Sequence, residues 1–183
     1  FPLAPGIKAH GICRFLLKSF DEPFEMYCTP IHIDPKKPVM PISHPRVYST
    51  YLAASQGPFA TLGLAEDTGG LSQGLLTEDQ FLAQTYDIHE ERERMLLDSL
   101  RRVKRGMVAC VFDASDRIQH MLWRCVARDH PAAGRPGDTA TEATREMYVR
   151  MARTLGKVTA ALDSDTALFV MSAPVFKTFR RGV

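Results

Sequence analysis

A chain of 183 residues, 45% hydrophobic and 24% charged, has the length of one domain and enough apolar residues to bury a core. Its net charge of +2 is too small to argue for nucleic acid or an anionic membrane surface as a partner. No apolar run approaches the roughly 20 residues that a membrane-spanning helix needs. The four cysteines, Cys13, Cys28, Cys110 and Cys125, form no C-x-x-C pair. They read as reduced, packing thiols, and a cytoplasmic setting is the expectation. The chain opens on Phe1 rather than Met and closes on Arg180-Arg181-Gly182-Val183 directly after a strand-like run, which reads as an internal fragment of one larger domain.

In chain order, residues 1–76 form a segment rich in strand and loop signals. Residues 7–19 and 24–33 carry β-branched, aromatic and alternating residues and predict two strands or a loose hairpin, turned at Asp21-Glu22-Pro23. Prolines at 35, 38, 41 and 45 then keep the chain extended, and His32 and His44 among them read as loop-surface histidines. Residues 46–55 have helical character, ended by Gly57-Pro58, and 61–64 predict a short strand. Asp67-Thr68-Gly69-Gly70 and Gly74 read as a glycine loop without any nucleotide-binding fingerprint.

Residues 77–183 form a helix-strand-helix-helix-strand segment. Thr77 and Gln80 make a capping box for a helix over about 78–103. Glu78 and Asp79 suit its positive end and Arg101, Arg102, Lys104 and Arg105 its negative end, and the EERER run at 90–94 reads as an exposed charged face. His89 beside it is only weakly suggestive of a site. Met147, Met151, Leu155, Val158 and Leu162 predict a second helix over about 142–162, and 166–171 (TALFVM) a buried strand.

The centre of the chain is 106–124, GMVACVFDASDRIQHMLWR. Residues 107–112 suit a strand buried on both faces, as in a parallel sheet, followed by an acidic turn and an amphipathic helix over 118–126. Polar residues at the carboxyl end of such a strand are where α/β sheets bind ligands. Asp116 and His120 are four apart and share one face of a helix, where they can hold one divalent metal, zinc by preference. The competing reading is a helix N-cap at Ser115 or Asp116 with an incidental histidine.

Asp116-Arg117-Ile118-Gln119-His120-Met121-Leu122-Trp123-Arg124 resembles the D-R-x-Q-H-x-x-W-R motif of a prokaryotic branch of the alkaline phosphatase superfamily. These are phosphohydrolases or phosphomutases close to type I phosphodiesterases and nucleotide pyrophosphatases. Pro30-Ile31-His32-Ile33-Asp34-Pro35, Ile42-Ser43-His44-Pro45-Arg46, Ala65-Glu66-Asp67-Thr68 and Phe179-Arg180-Arg181-Gly182-Val183 also resemble segments of that branch, in the same order. The resemblance implies part of a layered α/β fold with a mostly parallel sheet flanked by helices, and a two-metal site acting on a small phosphorylated substrate. Two cations about 4 Å apart would clamp the attacking and leaving oxygens of an in-line displacement. Zinc is the expected metal, with manganese a second choice.

The resemblance assigns Asp116 and His120 as ligands of one metal. The second metal's Asp-His pair would lie in an S-D-H-G-F pattern, where this chain has Ser172-Ala173-Pro174-Val175-Phe176, without either donor. Ala152 likewise replaces an Asp. The nucleophile, an early metal Asp and a later His have no match in the chain. The expectation is a fragment inactive on its own, marginally stable and prone to aggregate. The alternatives are a non-catalytic relative, a pseudoenzyme or interaction module that keeps the fold, and an unrelated metal site built from Asp113, Asp116 and His120.

Overall fold

The computed structural model describes residues 2–4, 7–127, 129–133, 139–172 and 176–178. The chain divides into two compact units, Phe1–Leu76 and Thr77–Val183. Among the described residues, the first holds three antiparallel strand pairs and two helices, and the second holds three long-to-medium helices. The chain is thus mixed α and β. Every strand pair among the described residues is antiparallel, so the expected parallel sheet is not seen there.

In the first unit, β1 (Pro2–Ala4) pairs with β2 (Ile7–Lys8). The predicted hairpin is present in two rungs. β3 (Gly11–Ile12) pairs with β6 (His32–Ile33), and β4 (Phe15–Ser19) with β5 (Glu25–Cys28). Arg14 and Thr29 join the two rungs: the Thr29 amide donates to the Arg14 carbonyl at 3.0 Å, and the Arg14 amide to Thr29 Oγ1 at 2.9 Å. Side chains alternate across a strand. Tyr27 accordingly turns into the unit, where its hydroxyl donates to Asp67, while Phe15, Leu17 and Met26 stay exposed on the other face.

α1 (Val47–Gln56) buries Ser49, Leu52 and Ala53, one stripe of an amphipathic helix. Ser43 Oγ accepts the Ser49 amide at 3.0 Å and donates to the Pro45 carbonyl at 2.9 Å, which ties the proline-rich entry to the helix. Residues 61–64 are bends, not the expected strand. The Thr61 and Leu62 amides that a strand would have offered to a neighbour donate instead to the His32 ring. The expected glycine loop is also corrected. It is a short helix, α2 (Thr68–Ser72), because Asp67 caps it by accepting the Gly70 amide at 2.8 Å. Position 70 needs glycine for space: a Cβ there would sit 2.5 Å from Asp67 Oδ2.

In the second unit, α3 (Glu78–Arg102) starts at the predicted capping box, with Thr77 and Gln80 bonding reciprocally. It buries Phe81, Leu82, Thr85, Ile88 and His89 at helical spacing. α4 (Ala114–Leu122) buries Ala114, Ile118 and Leu122, and a single 3-10 turn over Trp123–Cys125 ends it. α5 (Thr139–Ala161) buries Ala140, Ala143, Met147, Thr154 and Val158. Each of the three helices packs against the other two. Alanines at 114, 140 and 143 bring the backbones close, and Phe81, Ile118, Leu122 and Met147 fill the space between them. Fully burying each such side chain stabilises by about 1.5–3 kcal/mol.

Two predicted strands are absent. Residues 107–112 and 166–171 form no strand, and most of their side chains lie in solvent: Met107 is 85% exposed, Phe169 82% and Met171 90%, whereas Phe112 stands against the His89 ring. A strand exists only through a neighbour's hydrogen bonds, and none of the described residues supplies them. Cys110, expected in a buried strand, is exposed for the same reason, and Cys28, on the outer face of β5, is exposed too; "packing thiol" describes neither. The EERER run is corrected too. Glu91 is buried, Arg92 pairs with Asp113, Glu90 with Arg150, and Glu93 with Lys157. It is a face in contact with neighbouring elements rather than a solvated one.

Candidate metal centre

α4 follows the apolar 107–112 run after a single residue, Asp113. Asp113 takes the N-cap position, yet its side chain bonds no helix amide. Arg92 of α3 draws it away at 2.7 Å, and the same guanidinium nitrogen donates to the Val111 carbonyl at 3.3 Å. The expected cap at Ser115 or Asp116 is therefore displaced to Asp113. The notion of a three-residue cluster with Asp113 also fails, because that carboxylate is committed to Arg92. Among the described residues, no group of three or more His, Cys, Asp or Glu side chains could hold a metal ion.

At 100° per residue, burial of positions 114, 118 and 122 turns 116 and 120 outward. Asp116 Oδ1 lies 3.4 Å from His120 Nε2, and both side chains are open to solvent. Asp116 Oδ2 lies 3.3 Å from Arg117 Nη1, so one carboxylate oxygen is held by the guanidinium while the other faces the imidazole. Donors at about 2.0–2.1 Å from a tetrahedral zinc are separated by roughly 3.3 Å. The Asp116–His120 separation fits one edge of that tetrahedron. The pair can thus supply two of the four ligands to a metal, leaving two positions for other groups or water.

Phe176 meets this face of α4. Phe176 stands edge-on to the His120 ring, centroids 4.7 Å apart, and 5.7 Å from the Trp123 ring. Trp123 Nε1 donates to Thr178 Oγ1 at 3.3 Å, and Thr178 Oγ1 donates to Asp129 Oδ1 at 3.2 Å. The aromatic contact restricts rotation of the His120 ring. Trp123, Phe176 and Thr178 were not legible as one cluster, because nothing in the sequence spacing relates a helix end to residues more than fifty positions later. Ala173, Pro174, Val175 and the Phe179-Arg180-Arg181-Gly182-Val183 motif lie outside the described residues.

The remaining candidates are dispersed. His44 is exposed, as expected. His32 is not: it is 8% exposed, and its Nδ1 accepts the Thr61 amide at 3.0 Å. Burial, with Arg14 nearby, lowers its pKa below the ordinary 6.5. It is a structural acceptor. Ala152 is exposed on α5. Of the basic residues at 101–105, Arg101 and Arg102 both pair with the buried Asp98, at 3.2 and 2.8 Å.

A buried polar set between α3 and α5 had no clear sequence signal. His89, 2% exposed, has Nε2 3.3 Å from Thr154 Oγ1 and its ring against Phe112, while Thr154 and Lys157 both bond Glu93. Burial lowers the His89 pKa, against the opposing pull of Glu93. For Glu93, burial pushes the pKa upward, but the bonds from Lys157 and Thr154 outweigh it and leave the carboxyl below its ordinary value. Four residues spaced as polar members of amphipathic helices look like surface until the partner helix is in place.

Compared with family models, curated proteins and solved structures, the chain matches none.

Proposed function

We propose that this chain is part of a metal-dependent phosphohydrolase of the phosphodiesterase, nucleotide pyrophosphatase or phosphomutase kind, and that Asp116 and His120 are two ligands of one of its metals. The observation that carries the reading is their 3.4 Å separation on the outward face of a helix that begins one residue after an apolar run. Two further features support it. Phe176, which closes the motif where the resemblance expects the second metal's ligands, rests on His120. The runs 107–112 and 166–171 are largely apolar, form no strand and are mostly exposed, as central strands of a parallel sheet would be when their neighbours are missing.

A bound zinc would supply Lewis acidity and a lowered pKa for the attacking oxygen. Asp116 and His120 would hold it, Arg117 would orient the Asp116 carboxylate, and Phe176 would restrain the imidazole. The chain itself has no residue matching the nucleophile. Ala173 and Pro174 also cannot donate to a second metal through their side chains. The 183-residue polypeptide is therefore expected to bind zinc weakly and to leave a chromogenic phosphodiester uncleaved.

Calorimetric zinc titration of the native chain against His120→Ala tests the site. The expected result is affinity about tenfold or more weaker in the variant. Equal affinities would remove the site, and metal-dependent turnover by the native chain would overturn its predicted inactivity. The exposed apolar runs also fit the second reading, a non-catalytic module that associates through the same edges. That reading predicts the same absence of turnover but no loss of zinc affinity in His120→Ala.

A further inference from the structure

The β3–β6 and β4–β5 rungs bring together two thiols far apart in sequence. Cys28 stands opposite Phe15 in the ladder, and Cys13 precedes Phe15 by two residues, on the same side of an alternating chain. The Arg14–Thr29 bonds clamp the backbone between them. The two side chains are in hydrogen-bond contact, and this contact, more than burial, holds the Cys28 thiol above its ordinary value. Cys28 is exposed, while Cys13 is half-buried. Cys13 also lines an open depression of about 350 Å³ beside His10 and Ile31, which admits small reagents.

We propose that Cys13 and Cys28 are a thiol pair that closes to a reversible disulfide when the folded chain meets a hydroperoxide. The exposed Cys28, as thiolate, attacks the O–O bond, becomes a sulfenic acid and releases the alcohol or water. Cys13 then attacks the Cys28 sulfur, and hydroxide leaves as water with the Cys13 proton. Two thiols lose two electrons, the peroxide gains them, and one S–S bond forms. A dithiol reductant reverses the step. The backbone clamp keeps Cys13 within reach of the sulfenic acid, so closure outruns further oxidation. The raised Cys28 value slows the attack at neutral pH, and the reaction becomes faster as the solution turns alkaline.

The test uses the whole chain at low concentration, treated with hydrogen peroxide, alkylated and digested with trypsin without reduction. The expected product is a cross-link between peptides 9–14 and 19–36, lost on treatment with dithiothreitol and formed faster at alkaline pH. The same chain oxidised in urea is expected to scatter its cross-links among all four cysteines. Cys13→Ser is expected to leave Cys28 as a trappable sulfenic acid in the folded chain. The proposal is overturned if the folded chain instead joins Cys28 to Cys110 or Cys125. It is equally overturned by dimers alone, by both thiols remaining alkylatable, or by one cross-link pattern in folded and urea-treated protein.

Discussion

Helix α3 and the run at 107–112 are neighbours in sequence and opposites in structure. α3 satisfies its own backbone, caps its first turn with Thr77 and Gln80, and buries a stripe led by Phe81 against α4 and α5. The 107–112 run is at least as apolar, yet it buries little: Met107 is 85% exposed and Val111 73%. Hydrophobicity is thus not what separates them. A helix closes its hydrogen bonds within itself, whereas a strand depends on a second chain segment at about 4.8 Å. Where that segment is missing among the described residues, an apolar strand sequence forms no strand and stays largely in solvent.

The largest expected effect lies on the helical side. Phe81→Ala removes a side chain with no exposed surface and is expected to cost about 3–5 kcal/mol in urea unfolding. The counterpart on the extended side, Phe169→Ser, is expected to change stability by about 0.5 kcal/mol or less. A comparable loss at both positions would mean that the extended run is packed, and the contrast would dissolve.

Next in size is acid sensitivity. His32 and His89 are buried with pKa values below 6.5, so both are neutral in the folded chain. The unfolded chain takes up these protons as pH drops below 6.5, and stability falls from there until the lowered folded values are reached. The slope is up to about 1.4 kcal/mol per pH unit for each histidine, and above 6.5 the contribution is flat. Urea midpoints measured from about pH 7.5 to pH 5 check this. His89→Gln is expected to flatten the part of the slope that belongs to the second unit.

Thr77→Ala removes half of the capping box and is expected to cost about 1 kcal/mol. The smallest effect on stability is expected for Val111→Lys with Val170→Lys, about 0.5 kcal/mol or less, since both positions are largely in solvent. The same double variant should show the largest change in self-association. Charges on an unpaired strand oppose edge-to-edge pairing, so light scattering at high concentration should fall. Unchanged scattering would mean that association runs through another surface, such as the Phe15, Leu17 and Met26 face of the β4–β5 hairpin.

For the metal centre, the D-x-x-x-H spacing was legible because helical periodicity alone puts positions four apart on one face. Which face was not legible. It followed from burial of Ala114, Ile118 and Leu122 against the other helices, which left Asp116 and His120 outward. Asp113 entered only the alternative three-residue site, and the approach of Arg92 from α3, invisible in the sequence, commits its carboxylate elsewhere. His32 shows the same limit. A histidine among prolines looks like surface until the Thr61 and Leu62 amides converge on its ring.

Capping residues, prolines, turn glycines and apolar periodicity act within a few residues of themselves. The sequence by itself therefore determined the hairpin, the start of α3, the extent of α5 and the pairing of Asp116 with His120 on one face. The fate of the apolar runs, the partners of Asp113, Glu91 and His89, and the meeting of Cys13 with Cys28 depend on groups distant along the chain. Those the tertiary structure decided, because a buried charge, a buried imidazole or a strand is defined by what stands opposite it.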